Sequence, residues 1–420
     1  MSQQKKQWGA IIVMIALFAM IAFVTNLCTP MATIIKNQGP ISNVLAQIGN
    51  YGNFVAYLVM GIPAGMLISK FGYKKTALIG LAVGAAGILI QWFSGMLDVE
   101  QNLGLVFAVY LIGAFIAGLC MCILNCVVNP MLNLLGGGGN SGNQLIQIGG
   151  VFNSSAAVAC YILMGALIAD ATKAKIADAT PALMIALAIF VIAFIVISFT
   201  KIEEPEQAPV ELSLIKGAMS YRHFALGALA IFLYMGIEVG VPNFVQQYLI
   251  ADGIPAGTVG MLVAVYWFMM LIGRFVGAGI GNKVSSRAMI TTVSIATLVL
   301  VLFGMYAPTD IIVSFPGVDW GKLELIWQPI PVGIFSFLLV GLCTSVMWGA
   351  IFNMAVEGLG KFTAIASGIF MTMVFGCAVM MAIQAAVADA TNYITSFWVV
   401  VFCAAYILFY ALVGSKPAKK

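Results

Sequence analysis

KIEEPEQAPVELSLIKGAMSYRH, residues 201–223, is the one polar passage of real length between the apolar segments of this chain, and it lies near the middle. The 420 residues are 62% hydrophobic and only 8% charged. Soluble domains run at about 45–50% apolar and about 25% charged. No soluble fold hides so much apolar surface, so lipid must cover it. A spanning helix needs roughly 20 apolar residues. Six stretches before the polar passage qualify: 8–35, 43–68, 76–94, 103–135, 144–168 and 181–199. Six more follow it: 224–250, 255–280, 288–306, 331–356, 362–388 and 394–412. The sequence predicts an all-α membrane protein of twelve transmembrane helices in two six-helix bundles, residues 1–200 and 224–420, with 201–223 as the linker. Such a layout is the outline of a transporter built from two related halves. A twelve-span channel or membrane enzyme explains the symmetry less directly.

The basic residues set the direction. With the N-terminus inside, the inner loops and ends carry Lys5, Lys6, Lys70, Lys74, Lys75, Lys201, Lys216, Arg222, Lys283, Arg287, Lys361, Lys416, Lys419 and Lys420. The outer loops carry Lys36, Lys173, Lys175 and Lys322, and Arg274 falls within a span. The positive-inside rule then places both termini in the cytoplasm. Lysines spread among short loops make no nucleic-acid footprint. Lys5 and Lys6 before an apolar run imitate a signal peptide, but the run is too long and lacks a small-x-small cleavage site.

Several patterns point away from enzyme chemistry. The eight cysteines lie in apolar runs without CxxC or Cys/His spacing and read as small buried hydrophobes. The stretch GGGGNSG (136–142) holds a formal GxGxxG at Gly137, Gly139 and Gly142, but no strand precedes it and it joins two spans. It reads as a loop, not a dinucleotide site. His223 reads as a solvated residue at a helix start. No Ser/His/Asp, metal or paired-carboxylate set occurs in the spans, so no enzyme, metal or cofactor is expected.

Three spans share a local device. Asn26 stands four residues before Pro30, Asn125 five before Pro130, and Glu238 four before Pro242. Proline removes a backbone donor and opens the helix ladder toward the preceding turn. In a membrane that is tolerated only against protein or a water-filled cavity. The first, fourth and seventh spans are therefore the expected cavity lining, and the tenth joins them through Asn353. Glu238 is the pivotal residue. An ionised acid in mid-span costs several kcal/mol unless it is paired, hydrated or protonated, roughly 2.5–3.5 for Asp on insertion scales. That suits a group that receives a cation or a proton.

The loop GMLISKFGYKK (65–75) resembles the GxxxDRxGRR signature of the major facilitator superfamily, with Gly65, Lys70, Gly72, Lys74 and Lys75 in matching positions and Ser69 in place of the aspartate. Together with NPMLNLLGGGGNSGNQLIQIGGVFNS (129–154), IEVGVPNFVQQYL (237–249), IGRFVGAGI (272–280) and FNMAVEGLGKFT (352–363), it resembles the fucose and glucose/galactose permease branch. The resemblance implies import of a monosaccharide, a hexose or deoxyhexose, coupled to Na⁺ or H⁺, by alternating access in a bacterial inner membrane. The branch's fucose permeases carry acids in the first and fourth helices, where this chain has Thr29 and Asn125, so proton coupling through those positions is excluded. Glu238 matches the helix-7 glutamate of the glucose/galactose side, and Asn153 the asparagine of VFNS.

Glu238, Asn26, Thr29 and Asn125 are thus the ion-coupling candidates. Amides match sugar hydroxyls, which both donate and accept. The substrate-binding candidates are Asn125, Asn129, Gln147, Asn153, Glu238, Asn243, Gln246 and Asn353, with Tyr234, Trp267, Trp348 and Phe352 placed to face a sugar ring. Gly65, Lys70, Gly72, Lys74, Lys75, Arg274 and Glu357 are assigned to gating or structure, with Arg274 held by a carbonyl or by Glu357. Carboxylate and amide oxygens lean the coupling ion toward Na⁺. The expected partners are a small neutral sugar and the bilayer, for a monomer. An exporter of drugs or amphiphiles is the alternative within transport, and a sensor or scaffold the alternative outside it.

Overall fold

The computed structural model describes residues 7–97, 99–136, 139–168, 173–202, 212–280, 284–319, 322, 324–359 and 362–416. Among the basic residues used above, Lys5, Lys6, Lys283, Lys361, Lys419 and Lys420 lie outside them, as does Gly137. Among the described residues, eleven helical stretches are long and apolar enough to cross a membrane. One of them, α4 (Ile48–Ser94), is 47 residues long and holds two spans, so twelve crossings result. Its arms meet at Gly72, whose φ of 79° and ψ of 173° lie where only glycine sits easily. The second and third spans therefore turn on one residue. A side chain there costs about 1–3 kcal/mol. Gly72→Ala is expected to lower the melting temperature of the purified protein, whereas Gly9→Ala, with open space around it, leaves it unchanged.

The Gly65–Lys75 signature works on this turn. Lys74 Nζ donates to the carbonyls of Ser198 (3.0 Å) and Thr200 (2.8 Å), capping α7 (Thr180–Phe199). Ser69 bonds back to the Gly65 carbonyl, Lys70 lies 5.3 Å from the Phe71 ring centre, and Lys75 is exposed.

The first span is broken into α1 (Trp8–Asn26) and α2 (Cys28–Lys36), and α3 (Asn43–Ala46) leads into α4. The fourth and fifth spans are α5 (Val99–Leu135) and α6 (Gly139–Leu167). After α8 (Ile215–Met219) the seventh span is broken into α9 (Arg222–Glu238) and α10 (Gly240–Ala251). Both breaks fall three residues before a proline, Pro30 and Pro242. Pro130 behaves otherwise, because α5 runs through it without interruption. The eighth and ninth spans are α11 (Ala256–Ile280) and α12 (Ser286–Tyr306), and the tenth is α13 (Val332–Val356). The eleventh breaks between α14 (Thr363–Met373) and α15 (Gly376–Ala390) without proline. There Gly376 lies against the Phe232 carbonyl, where a side chain has no room, and Phe375 meets the Phe232 ring edge-on. The last span is α16 (Trp398–Phe409), which continues into a π turn at Tyr410–Gly414.

The connection between α12 and α13 is an antiparallel hairpin, β1 (Ile312–Asp319) with β2 (Glu324–Pro331), in register from Ile312↔Pro331 to Asp319↔Glu324. Phe315 against Phe335 and Gly317 against Thr258 dock it on α13 and α11.

The two bundles meet along two seams of small residues. Gly165 touches Gly257, and Gly260 lies under the Tyr161 carbonyl, between α6 and α11. Gly61 abuts Thr372, and Gly368 abuts Ile62, between α4 and α14. Small residues let helix backbones approach closely in lipid.

Candidate functional site

The site begins at the break in the seventh span. Pro242 has no N–H to give to the Glu238 carbonyl, so the ladder opens and α9 ends on Glu238. The Glu238 side chain is partly buried, and its polar and charged neighbours are the Tyr234 hydroxyl one turn earlier and the Arg274 guanidinium of α11. Tyr234 donates to the Thr344 carbonyl at 3.3 Å, and the Tyr266 hydroxyl lies 3.2 Å from Thr344 Oγ1. Rings complete the wall: Tyr234 faces Trp348 (6.2 Å between centres), Tyr266 meets Trp267 edge-on (5.5 Å), and Tyr161 of α6 stacks on Trp267 (6.4 Å). Arg274 donates to the Gly150 carbonyl of α6, so the charged pair of helices is tied to the other bundle through a carbonyl rather than through Glu357. Glu357 instead uses its own carbonyl, 2.8 Å from the Nε2 of His223, which is buried against it rather than solvated as expected, and the Glu357 side chain is exposed.

Toward the end that carries the Lys36–Asn43 turn, amides close the space between the bundles. Asn243 and Gln47 exchange two hydrogen bonds (2.9 and 3.1 Å). Asn243 also donates to Thr29 Oγ1 (3.3 Å) and accepts from Gln247 (2.8 Å). Asn50 donates to Gln47 (2.6 Å), and Gln246 to Thr33 (3.3 Å). All seven side chains are buried. A second layer lies outside it. Asp389 of α15 accepts from the backbone N–H groups of Asn43 (2.8 Å) and Val44 (3.1 Å), while Lys36 and Tyr393 both donate to Asn43 Oδ1. Burial, and then the Asp389 carboxylate, push the Tyr393 hydroxyl above its ordinary value, so it remains a donor throughout the physiological range.

The opposite end has no such layer among the candidate residues. Asn125, Asn129, Trp348 and Phe352 are only partly buried and Asn353 is exposed. Several amides serve their own bundle. Asn125 donates to the Tyr57 hydroxyl (2.9 Å) and the Met121 carbonyl, Asn129 to the Asn125 carbonyl, Asn153 to the Phe18 carbonyl (2.9 Å), and Asn26 to the Ala22 carbonyl (2.8 Å). Gln147 lies in α6, but its side chain is outside the described residues. The structure therefore brings Glu238, Tyr234, Arg274, Trp267 and Trp348 together, and Thr29, Asn243 and Gln246 into the seal beside them. Sequence reasoning missed Gln47, Asn50, Tyr161, Gln247, Tyr266, Thr344 and Asp389. A signal existed for the first two: in QIGNYGN (47–53) the amides Gln47, Asn50 and Asn53 recur every three residues on one face of an otherwise apolar span.

Comparison with known proteins agrees with this architecture. The family model of the Major Facilitator Superfamily matches residues 10–374. A glucose/galactose transporter of Brucella abortus is 29% identical over 425 residues, covering 99% of this chain and 96% of that one. An L-fucose-proton symporter of Escherichia coli is 20% identical, covering 96% and 92%. Among solved structures, the major facilitator transporter FucP in the outward conformation superimposes with a TM-score of 0.68 at 19% identity, over 96% of this chain and 97% of that one. The chain belongs to the major facilitator superfamily. It is a multi-pass membrane protein of a transporter family, not an enzyme.

Proposed function

We propose that the chain imports a monosaccharide, a hexose or deoxyhexose, by cation symport, its two bundles (1–200 and 224–420, joined by 201–223) rocking about a site near the membrane midplane. One observation carries the reading: a partly buried carboxylate, Glu238, stands among tyrosines and tryptophans, with an amide seal, among the described residues, on one side of it. Aromatic faces suit the apolar faces of a sugar ring, and a carboxylate with amides suits its hydroxyls. The names of the relatives, a glucose/galactose transporter and an L-fucose-proton symporter, support the same class of cargo.

The unsealed end is where Lys70, Lys74, Lys75, Arg222 and Arg287 lie, and the sealed end carries Lys36, Lys173, Lys175 and Lys322. By the positive-inside rule the unsealed end is cytoplasmic, so this conformation faces inward, in the inner membrane of a bacterium and as a monomer. Arg274 on the Gly150 carbonyl then acts as a tether across the bundles in this state.

For the ion, Glu238 with nearby hydroxyl and amide oxygens favours Na⁺ over H⁺, because a hard cation prefers oxygen ligands. The test is uptake of a radiolabelled monosaccharide panel into proteoliposomes, with sodium and proton gradients imposed separately. Accumulation driven by the sodium gradient, and lost when choline replaces sodium at fixed pH, is the expected result. Accumulation that survives the replacement would transfer the coupling to protons. Uptake of no sugar, with lipophilic cations expelled, would favour the exporter.

A further inference from the structure

Two buried hydrogen-bond donors at the meeting of the bundles have nothing to bond. The Tyr161 hydroxyl of α6 and the Trp267 indole N–H of α11 are both buried, their rings stacked, and neither has a hydrogen-bond partner. Thr29 and Trp267 are the polar neighbours of the Tyr161 hydroxyl, close enough to influence it, yet neither completes a well-formed hydrogen bond with it. This differs from the seal beside them, where Asn243 and Gln47 satisfy one another. The indole N–H can only donate. Buried donors are nearly always matched, so an unmatched pair on two elements that separate during transport calls for an acceptor from outside the chain. The indole is also held in place: Tyr266 packs edge-on against it, and the Tyr266 hydroxyl lies 3.2 Å from Thr344 Oγ1.

We propose that Tyr161 and Trp267 together donate to a single hydroxyl or ring oxygen of the sugar, one donor from each bundle, when cargo fills the space next to the amide seal. The inference rests on the sugar-transport reading and deepens it. The pair then makes a specificity-determining contact: a sugar presenting an oxygen at that point bridges the bundles, and one lacking it leaves two donors stranded. Because the two donors sit on opposite bundles, this contact also couples the identity of the cargo to closure of the site. Tyr161 was not legible as a site residue in the sequence, because it reads as one more aromatic in an apolar span.

The experiment measures the equilibrium affinity of the purified protein for its best monosaccharide and for each monodeoxy analogue of that sugar. It compares wild type with Tyr161→Phe, which removes one oxygen, and Trp267→Phe, which keeps a ring but no N–H. Each variant should weaken binding of the parent sugar by about 5- to 50-fold. For one and the same analogue, the variants should bind as well as wild type, because the contact is already absent. A purely structural role would weaken every ligand by the same factor, and that flat profile overturns the inference, as does unchanged affinity for the parent sugar. Thermal stability close to wild type, expected for a change of one oxygen, keeps the comparison sound for Tyr161→Phe. A wild-type protein that binds no sugar saturably overturns the proposed function and this inference with it, whereas sugar binding with a flat analogue profile overturns this inference alone.

Discussion

Glu238→Gln is expected to abolish gradient-driven accumulation of sugar while leaving a correctly folded protein in the membrane. Glutamine keeps the shape of glutamate and its place beside the Tyr234 hydroxyl, but it carries no charge and takes up no proton. The carboxylate is tolerated at mid-span because it has Arg274 and Tyr234 as neighbours and is only partly buried. Removing the charge relieves the cost of holding it but leaves the Arg274 guanidinium with the Gly150 carbonyl and without that carboxylate, so the melting temperature is expected to fall somewhat while the fold is kept. On the proposed mechanism, what is lost is the interaction with the ion. An intracellular excess of sugar then has nothing to sustain it, and uptake settles to the level of passive equilibration. Counterflow separates the two roles open to this residue. If Glu238 serves the ion alone, exchange of labelled for unlabelled sugar persists in the variant. If it also accepts from a sugar hydroxyl, affinity drops by about 10- to 100-fold, since a hydrogen bond to a charged group is worth roughly 1.5–3 kcal/mol. Full accumulation by the variant would remove Glu238 from the coupling mechanism altogether.

The acid itself could be read from the chain because a charge inside lipid stands out against apolar residues. The same contrast made the twelve crossings legible, and proline marked two of the three breaks in the helices. Pro130 was a false mark: helix packing carried α5 straight through it, which local sequence cannot foresee. The break at Val374–Phe375 had no mark at all, since it arises where Gly376 meets the Phe232 carbonyl from another helix. The amide seal was half legible. Asn243 and Gln246 lie beside the acid in sequence, but their partners Gln47 and Thr33 lie about two hundred residues away, and only the fold pairs them. Asn153 shows the reverse case. Its amide is as conspicuous in sequence as that of Asn243, yet in the structure it gives an N–H to the Phe18 carbonyl within its own bundle. Residue type could nominate polar side chains, while the choice between cargo contact and helix–helix contact belongs to packing.

Asn243→Ala should shift the resting protein from the sealed state toward one open at the Lys36–Asn43 end. Asn243 is fully buried and is the hub of the seal, joined to Gln47 by two bonds and to Thr29 and Gln247 by one each. Truncation removes all four. In the sealed conformation the amide of Gln47 and that of Gln247 are then left in a dry interior, where each stranded group costs about 1–3 kcal/mol. In a conformation open at that end, water reaches the same groups and the cost disappears. The substitution thus penalises one state of a two-state equilibrium by about 2–6 kcal/mol and spares the other, so populations move by about 30-fold or more, at 1.4 kcal/mol for each factor of ten. Spin labels at Gly39 and Asp252, exposed positions on opposite bundles at that end, report the separation directly. The expected distance distribution gains a longer component in Asn243→Ala, which added sugar and ion alter. Asn243→Asp offers a check on the cause: it keeps the shape and the acceptor but places an unpaired charge in the seal, so it should open that end at least as far at neutral pH and less so in acid. An unchanged distribution in both variants would mean that the Asp389 layer and the glycine seams alone hold the bundles together, with the amides as passengers.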